Sequence, residues 1–223
     1  PARGGSKGVH GKNIKLLYGK PLIEYTTEVA LQSKLLTKVV VSSDDDKIIE
    51  VAKNTGVEVP FKRPSNLSKD ATPTLPVIKH ALAYYKNIGE EFDAICLLQV
   101  TSPFRTVDFL DNAIQKFINE AADSLISVQK VPHEYNPHWT FELNEEGNLK
   151  IATGEDIIIS RRQDLPTTYH RDGSIYITKT SVILEKNSLY GNTIAYIESK
   201  DKNFVNIDTL RDWGKAEEII KRF

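Results

Sequence analysis

The feature that most constrains this chain is Phe92-Asp93-Ala94-Ile95-Cys96-Leu97-Leu98-Gln99, a nearly continuous apolar run. It gives way to hydroxyl and amide groups at Val100-Thr101-Ser102-Pro103-Phe104-Arg105-Thr106. A strand that is apolar on both faces must be covered on both faces, as in the middle of a parallel sheet flanked by helices. The flanking sequence agrees. Lys38-Val39-Val40-Val41-Ser42-Ser43 is a β-branched run that passes through Asp44-Asp45-Asp46 into a helix with an acidic start, closed by Gly56. Segments 57–61, 124–128 and 193–197 read as further strands, while 21–33, 73–86, 106–120 and 208–222 carry helical signals. With 223 residues, 40% of them apolar, and no low-complexity run, the reading is α/β. One doubly wound domain spans 1–223, its sheet mostly parallel with helices on both faces.

Charge narrows the partners. Lys and Arg total 29 against 30 Asp and Glu, so no chain-wide basic field calls for nucleic acid or an acidic membrane, and any anion binding is local. The single Cys96 cannot form an internal disulfide. Without a signal peptide or a long apolar span, the chain is expected in the cytoplasm.

A local anion site is what the first thirteen residues suggest. Pro1-Ala2-Arg3-Gly4-Gly5-Ser6-Lys7-Gly8-Val9-His10-Gly11-Lys12-Asn13 holds four glycines and three cations. Glycines let the backbone approach a ligand and turn N–H groups toward it, and Arg and Lys neutralise several charges, so a polyphosphate fits. The spacing excludes a Walker A loop, because position 6 is Ser and position 13 is Asn, and the G-x-G-x-x-G fingerprint is absent.

Arg3-Gly4-Gly5-Ser6-Lys7-Gly8, then Gly11-Lys12-Asn13, then Gly19-Lys20-Pro21-Leu22-Ile23, resembles the opening of the acylneuraminate cytidylyltransferases, the CMP-sialic acid synthetases. The resemblance covers nearly the whole chain. It implies that the loop, with Arg3, Gly4, Gly5, Ser6 and Lys7, grips the triphosphate of CTP. It further implies that Lys12 supports the transferred group and that Asn13 touches the nucleotide. Pro1 is expected not to be the native N-terminus, since the chain contains no Met and family members carry a short apolar strand ahead of the loop.

Three further stretches extend the resemblance. Arg63-Pro64, followed by a Leu and an Asp with small hydroxyl residues, implies that Arg63 lies beside the base and Thr74 reaches sugar or base. Pro73-Thr74 stands where relatives often have two serines. The match to Gln-x-Thr-Ser-Pro-x-Arg assigns Gln99, Thr101 and Ser102 to the acceptor sugar, and neutral hydrogen bonders at the carboxyl end of a strand suit a polyhydroxylated ligand. The Arg162-Gln163-Asp164-Leu165-Pro166 match selects Arg162, whose guanidinium can grip the carboxylate of the acceptor, and the resemblance implies that Tyr176, on the next strand, contacts the sugar as well. There Asp172 replaces the usual Asn, which marks a different sugar. Asn206-Ile207-Asp208 replaces an Asp-Ile-Asp pattern that binds Mg²⁺. Alternate residues of an extended segment face the same way, so Asn206 and Asp208 would share one metal. The alternative for Asp208 is a helix cap only.

From 131 to about 165 the pattern changes to prolines, histidines, Trp139 and an alternating hairpin around Glu146-Gly147. The family counterpart is an arm that grips a second subunit, which implies a homodimer. His133 and His138, five apart in a loop interrupted by Pro, do not read as a metal pair. The expected activity is a CTP-dependent cytidylyltransferase acting on a nine-carbon 2-keto acid sugar. Two rivals stay open: transfer to another sugar, such as an octulosonate or a sugar phosphate, and a non-catalytic nucleotide-sugar binder.

Overall fold

The computed structural model describes residues 1–5, 8–200 and 203–222. In chain order the strands are β1 (Leu16–Leu17), β2 (Lys20–Pro21), β3 (Ala94–Leu98), β4 (Ser124–Lys130), β5 (Phe141–Leu143), β6 (Leu149–Ile151), β7 (Tyr169–Lys179) and β8 (Ile194–Glu198). The helices are α1 (Leu22–Gln32), α2 (Asp46–Asn54), α3 (Thr74–Asn87), α4 (Val107–Glu120), α5 (Thr180–Glu185) and α6 (Leu210–Ile220). The apolar run forms β3, and its side chains divide by parity as a strand's must. Ala94, Cys96 and Leu98 pack with Leu110, Ile114 and Phe117 of α4, while Ile95 and Leu97 pack with Ile78 and Leu82 of α3 and Ile183 of α5. Both faces are covered.

The main sheet has the order β3-β7-β4-β8. β4 and β8 are parallel, whereas β7 runs antiparallel to both β3 and β4. β3, β4 and β8 therefore run the same way, as the mostly parallel expectation has it, and β7 is the one reversed strand of this sheet among the described residues; the cause of its reversal is the excursion at 131–165. The chain leaves β4 at Lys130 and returns beside it at Tyr169, with Val131 N–H donating to the Thr168 carbonyl. A strand that re-enters where its neighbour ended can only run back. The excursion itself carries a separate hairpin, β5–β6, turning at Gly147 as its alternation predicts.

The strands expected at 38–43 and 57–61 reduce to parallel bridges, Val40 with Glu58 and Ser43 with Lys62. Between this segment and β3 lies a cavity of about 640 Å³, lined by Val39, Val41, Ala94, Cys96 and Leu98 among others. β3, expected in the middle, is an end strand of this ladder among the described residues.

The acids at the start of α2 divide their work. Asp45 is the N-cap, accepting from Lys47 and Ile48 N–H, while Asp46 pairs with Lys62. At α6 the cap is Thr209, in a reciprocal box with Asp212. No helix among the described residues is long and apolar enough to cross a membrane.

Candidate active site

Four segments converge on the first loop. Ala2 N–H donates to the Ser42 carbonyl at 2.9 Å, and Arg63 N–H to that of Ser43 at 2.7 Å, so the loop and segment 63–74 issue from the same end of the bridged strands. Asp44 ties them together, accepting from Gly4 N–H and from Arg63 Nη2, each at 3.3 Å. Arg63 is buried, with Nε donating to Ser68 Oγ at 3.0 Å. Burial holds its guanidinium below the ordinary value, Asp44 pulls it back up, and the nearby charge of Arg3 lowers it again. Two guanidiniums that repel each other across one loop form a field that an anion relieves.

Arg3 meets Asp70 at 2.6 Å, both partly exposed. Asn13 is buried, and its amide donates to the Arg3 carbonyl at 2.9 Å, so it shapes the loop from below. Thr74 is the first residue of α3. Ser6 and Lys7, expected at the phosphates, lie outside the described residues.

The far wall of the loop is the approach to α6. Lys12 Nζ donates to the Ile207 carbonyl at 2.5 Å and to Asp208 Oδ1 at 3.1 Å. The loop fits there only because position 8 is Gly: a Cβ on Gly8 would stand 2.0 Å from the Asp208 carbonyl oxygen. The Asp208 side chain is 64% exposed, and because Thr209 caps the helix, Asp208 is free of that duty. Asn206 Nδ2 donates to Asp208 Oδ2 at 2.8 Å, while Asn206 Oδ1 is buried without a partner among the described residues. An exposed carboxylate beside an amide oxygen lacking a donor suits a divalent cation that takes few protein ligands. Among the described residues no cluster of three or more His, Cys, Asp or Glu could hold a metal by itself.

Next to this wall is a layer of neutral groups. Ile207 N–H donates to the Thr101 carbonyl at 2.8 Å, which seats the Asn206–Asp208 segment against the end of β3. Gly173, at φ +83°, faces the Gln99 and Asn206 side chains; a Cβ there would come within 3.3 Å of Gln99 Oε1 and 3.8 Å of Asn206 Oδ1. Thr101 Oγ1 and Ser102 Oγ are buried and have no partner among the described residues. Buried hydroxyls left bare in this way are places where a ligand's own hydroxyls would bond.

Two expected sugar contacts lie elsewhere in this arrangement. Tyr176 is buried on β7 in the apolar cluster with Leu97, Ile78 and Leu82, and burial raises its phenol pKa. Arg162 sits in a one-turn helix and lines a cavity of about 360 Å³ at the base of the excursion, with Lys130, His133 and Asn136. The larger cavity inside the sheet is lined by none of Arg3, Lys12, Arg63 or Asp208. Two bracing residues are not legible as such in the sequence: Asp44 lies in a triple Asp that reads as capping, and the buried Arg105 ends the Gln-x-Thr-Ser-Pro-x-Arg match.

The sequence matches the family model described as Cytidylyltransferase over residues 1–215. It is 35% identical to the pseudaminic acid cytidylyltransferase of Campylobacter jejuni over 221 residues, covering 99% of this chain and 94% of that protein. It is 34% identical to the CMP-N,N'-diacetyllegionaminic acid synthase of Legionella pneumophila, with 99% and 94% covered. A solved CMP:2-keto-3-deoxy-manno-octonic acid synthetase complexed with CTP shares the fold with a TM-score of 0.74 at 18% identity, covering 100% of this chain and 96% of the other.

Proposed function

Because the chain belongs to the cytidylyltransferase family, we propose that it transfers CMP from CTP to the anomeric hydroxyl of a nine-carbon 2-keto acid sugar, a nonulosonic acid. The observation that supports this most is an adjacency. The loop bearing Arg3 and Lys12 meets Asp208, and two residues away Asn206 borders a layer of neutral amide and hydroxyl groups at Gln99, Thr101 and Ser102. One half suits a polyphosphate and the other a polyol.

In the reaction the sugar hydroxyl oxygen forms a bond to the α-phosphorus of CTP, the bond from that phosphorus to the bridging oxygen breaks, and pyrophosphate leaves. The hydroxyl proton passes to solvent. Arg3, the loop N–H groups and Lys12 stabilise negative charge spread over the phosphate oxygens, which is where preorganised donors contribute most. Arg63, held by Asp44, fixes the base side of the loop, with Asn13 supporting it and Thr74 within the same segment. Gln99, Thr101 and Ser102 orient the sugar. Asp208 and Asn206 are the residues that would hold Mg²⁺, which supplies charge neutralisation at the phosphates when bound. Arg162 and Tyr176 enter this reading through family resemblance, Arg162 as a carboxylate contact.

We further propose a homodimer in the cytoplasm. The excursion presents Leu143, Leu149 and Ile157, which are 71, 67 and 83% exposed, and a hairpin with such a face is more stable against a second copy than in water. Trp139 has an internal duty instead, its indole N–H donating to the Ile159 carbonyl at 2.5 Å.

Incubation with CTP, Mg²⁺ and a mixture of nonulosonic acids, including pseudaminic and diacetyllegionaminic acids, followed by mass spectrometry, tests the reading. A CMP adduct of one nine-carbon acid is expected. Adducts formed only from an octulosonate or a sugar phosphate, or from UTP or GTP in place of CTP, would overturn it.

A further inference from the structure

Arg105 is 6% exposed, and the charge of the buried Asp172 acts on it without a direct hydrogen bond between the two. Its Nε donates to Ser174 Oγ at 3.0 Å, and its Nη2 donates to the Ser174 carbonyl at 2.6 Å and the Gln99 carbonyl at 3.2 Å. Nη1 is buried with no partner among the described residues. Asp172, also buried, spends Oδ1 on Ser127 Oγ and Ser174 N–H and leaves Oδ2 bare. Burying a cation that no carboxylate bonds directly is costly, and an apolar side chain would fill the same space at lower cost. What the guanidinium does here is span two strands. One planar fork holds the last carbonyl of the β3 run and the backbone of β7 one residue beyond Gly173, and that is the pair of backbones between which the Gln99 amide faces Gly173.

We propose that Arg105 is the positioning residue of the acceptor pocket, fixing the close approach of the Gln99 side chain to the Gly173 backbone and so the direction in which the Gln99 amide meets the sugar's hydroxyls. This rests on the assignment of Gln99 to the acceptor. Lys cannot substitute, because a single ammonium on a flexible stem does not reproduce a rigid fork that bonds two backbones at once. Burial pulls the Arg105 pKa down to about 10, so the clamp is charged at neutral pH. Arg105 acts through Gln99 and need not touch the sugar.

Steady-state kinetics on Arg105→Lys, Gln99→Ala and the double variant decide the matter, with CTP and the acceptor varied separately. Arg105→Lys is expected to raise the KM for the acceptor about tenfold or more while leaving the KM for CTP within about twofold, the loss of a hydrogen-bonded contact being of that order. In the Gln99→Ala background the same substitution should add little, since residues acting through one contact are not additive. Losses that multiply in the double variant, or equal rises in both KM values, would overturn the proposal. Should Arg105→Lys fail to fold, Ser174→Ala removes only the Nε acceptor and should give the same selective rise in acceptor KM; no such rise would equally overturn it. A wild type that makes no CMP-sugar would defeat the parent assignment and this one with it, whereas an active wild type with additive losses defeats this one alone.

Discussion

At the scale of single residues the site is built by close approach. Gly8 lies where any side chain would strike the Asp208 carbonyl, so the loop and the carboxylate are positioned together. Gly8→Ala should displace the loop by about 1 Å and lower kcat/KM for CTP by about tenfold or more, since misplacements of that size have large kinetic effects. Steady-state rates at varied CTP, with thermal melting to confirm the fold, check this; an unchanged kcat/KM for CTP would contradict the packing. Asn206 and Asp208 make a second test. With one carboxylate, a metal must lean on the nucleotide's phosphates, so Asn206→Asp should lower the Mg²⁺ concentration for half-maximal rate and Asp208→Ala should abolish activity at any practical Mg²⁺. Titrating Mg²⁺ at fixed CTP for the three proteins reads the outcome; near-native turnover of Asp208→Ala would move the metal elsewhere. Residue types at this scale were legible, because charge, glycine and amide groups name their chemistry. Direction was not. Nothing in the sequence says that the Asn13 amide turns back to the Arg3 carbonyl or that the Tyr176 ring packs in an apolar cluster while its hydroxyl meets Arg171, since both depend on which face of an element meets the core.

At the scale of elements the helices were the readable part. A 3.6-residue period and a cap are local, and α1, α3 and α4 fall within a residue or two of their expected bounds. The strands at 38–43 and 57–61 were not readable to the same degree, because a ladder needs a neighbour on the correct edge and the sequence of one strand does not record its neighbour's position. The reversed β7 was likewise invisible until the return path of the excursion was known. The start of α6 supports a quantitative expectation. Thr209→Ala removes the N-cap and should cost about 1 kcal/mol of stability, read by urea denaturation. The Asp212 carboxyl is held below its ordinary pKa by the Thr209 hydroxyl first, then by the Thr209 and Asp208 backbone N–H groups and Lys215, against the opposing effect of burial. A carboxyl more acidic in the folded state stabilises it above the unfolded pKa of about 4, and that contribution is lost as pH falls through the folded value. Asp212→Asn should therefore flatten the fall of stability on acidification below about pH 4; an unchanged slope would show that the box contributes nothing.

At the scale of the whole molecule, two halves must come together: a cationic, glycine-rich loop suited to phosphates and a neutral layer suited to a polyol, with a hairpin carrying apolar residues outward. Leu143→Glu with Leu149→Glu should convert a dimer to a monomer without unfolding it, because paired charges on the exposed face remove its reason to associate. Light scattering measures the mass, and a dimer that persists would assign those side chains to solvent. Every role assigned above depends on which bond of CTP breaks. Phosphorus NMR of the wild type with CTP, Mg²⁺ and a nonulosonic acid should show the triphosphate resonances replaced by a phosphodiester and one equivalent of pyrophosphate. Appearance of CDP with inorganic phosphate, or CTP left intact beside every nine-carbon acid supplied, would contradict attack at the α-phosphorus and the assignment built on it.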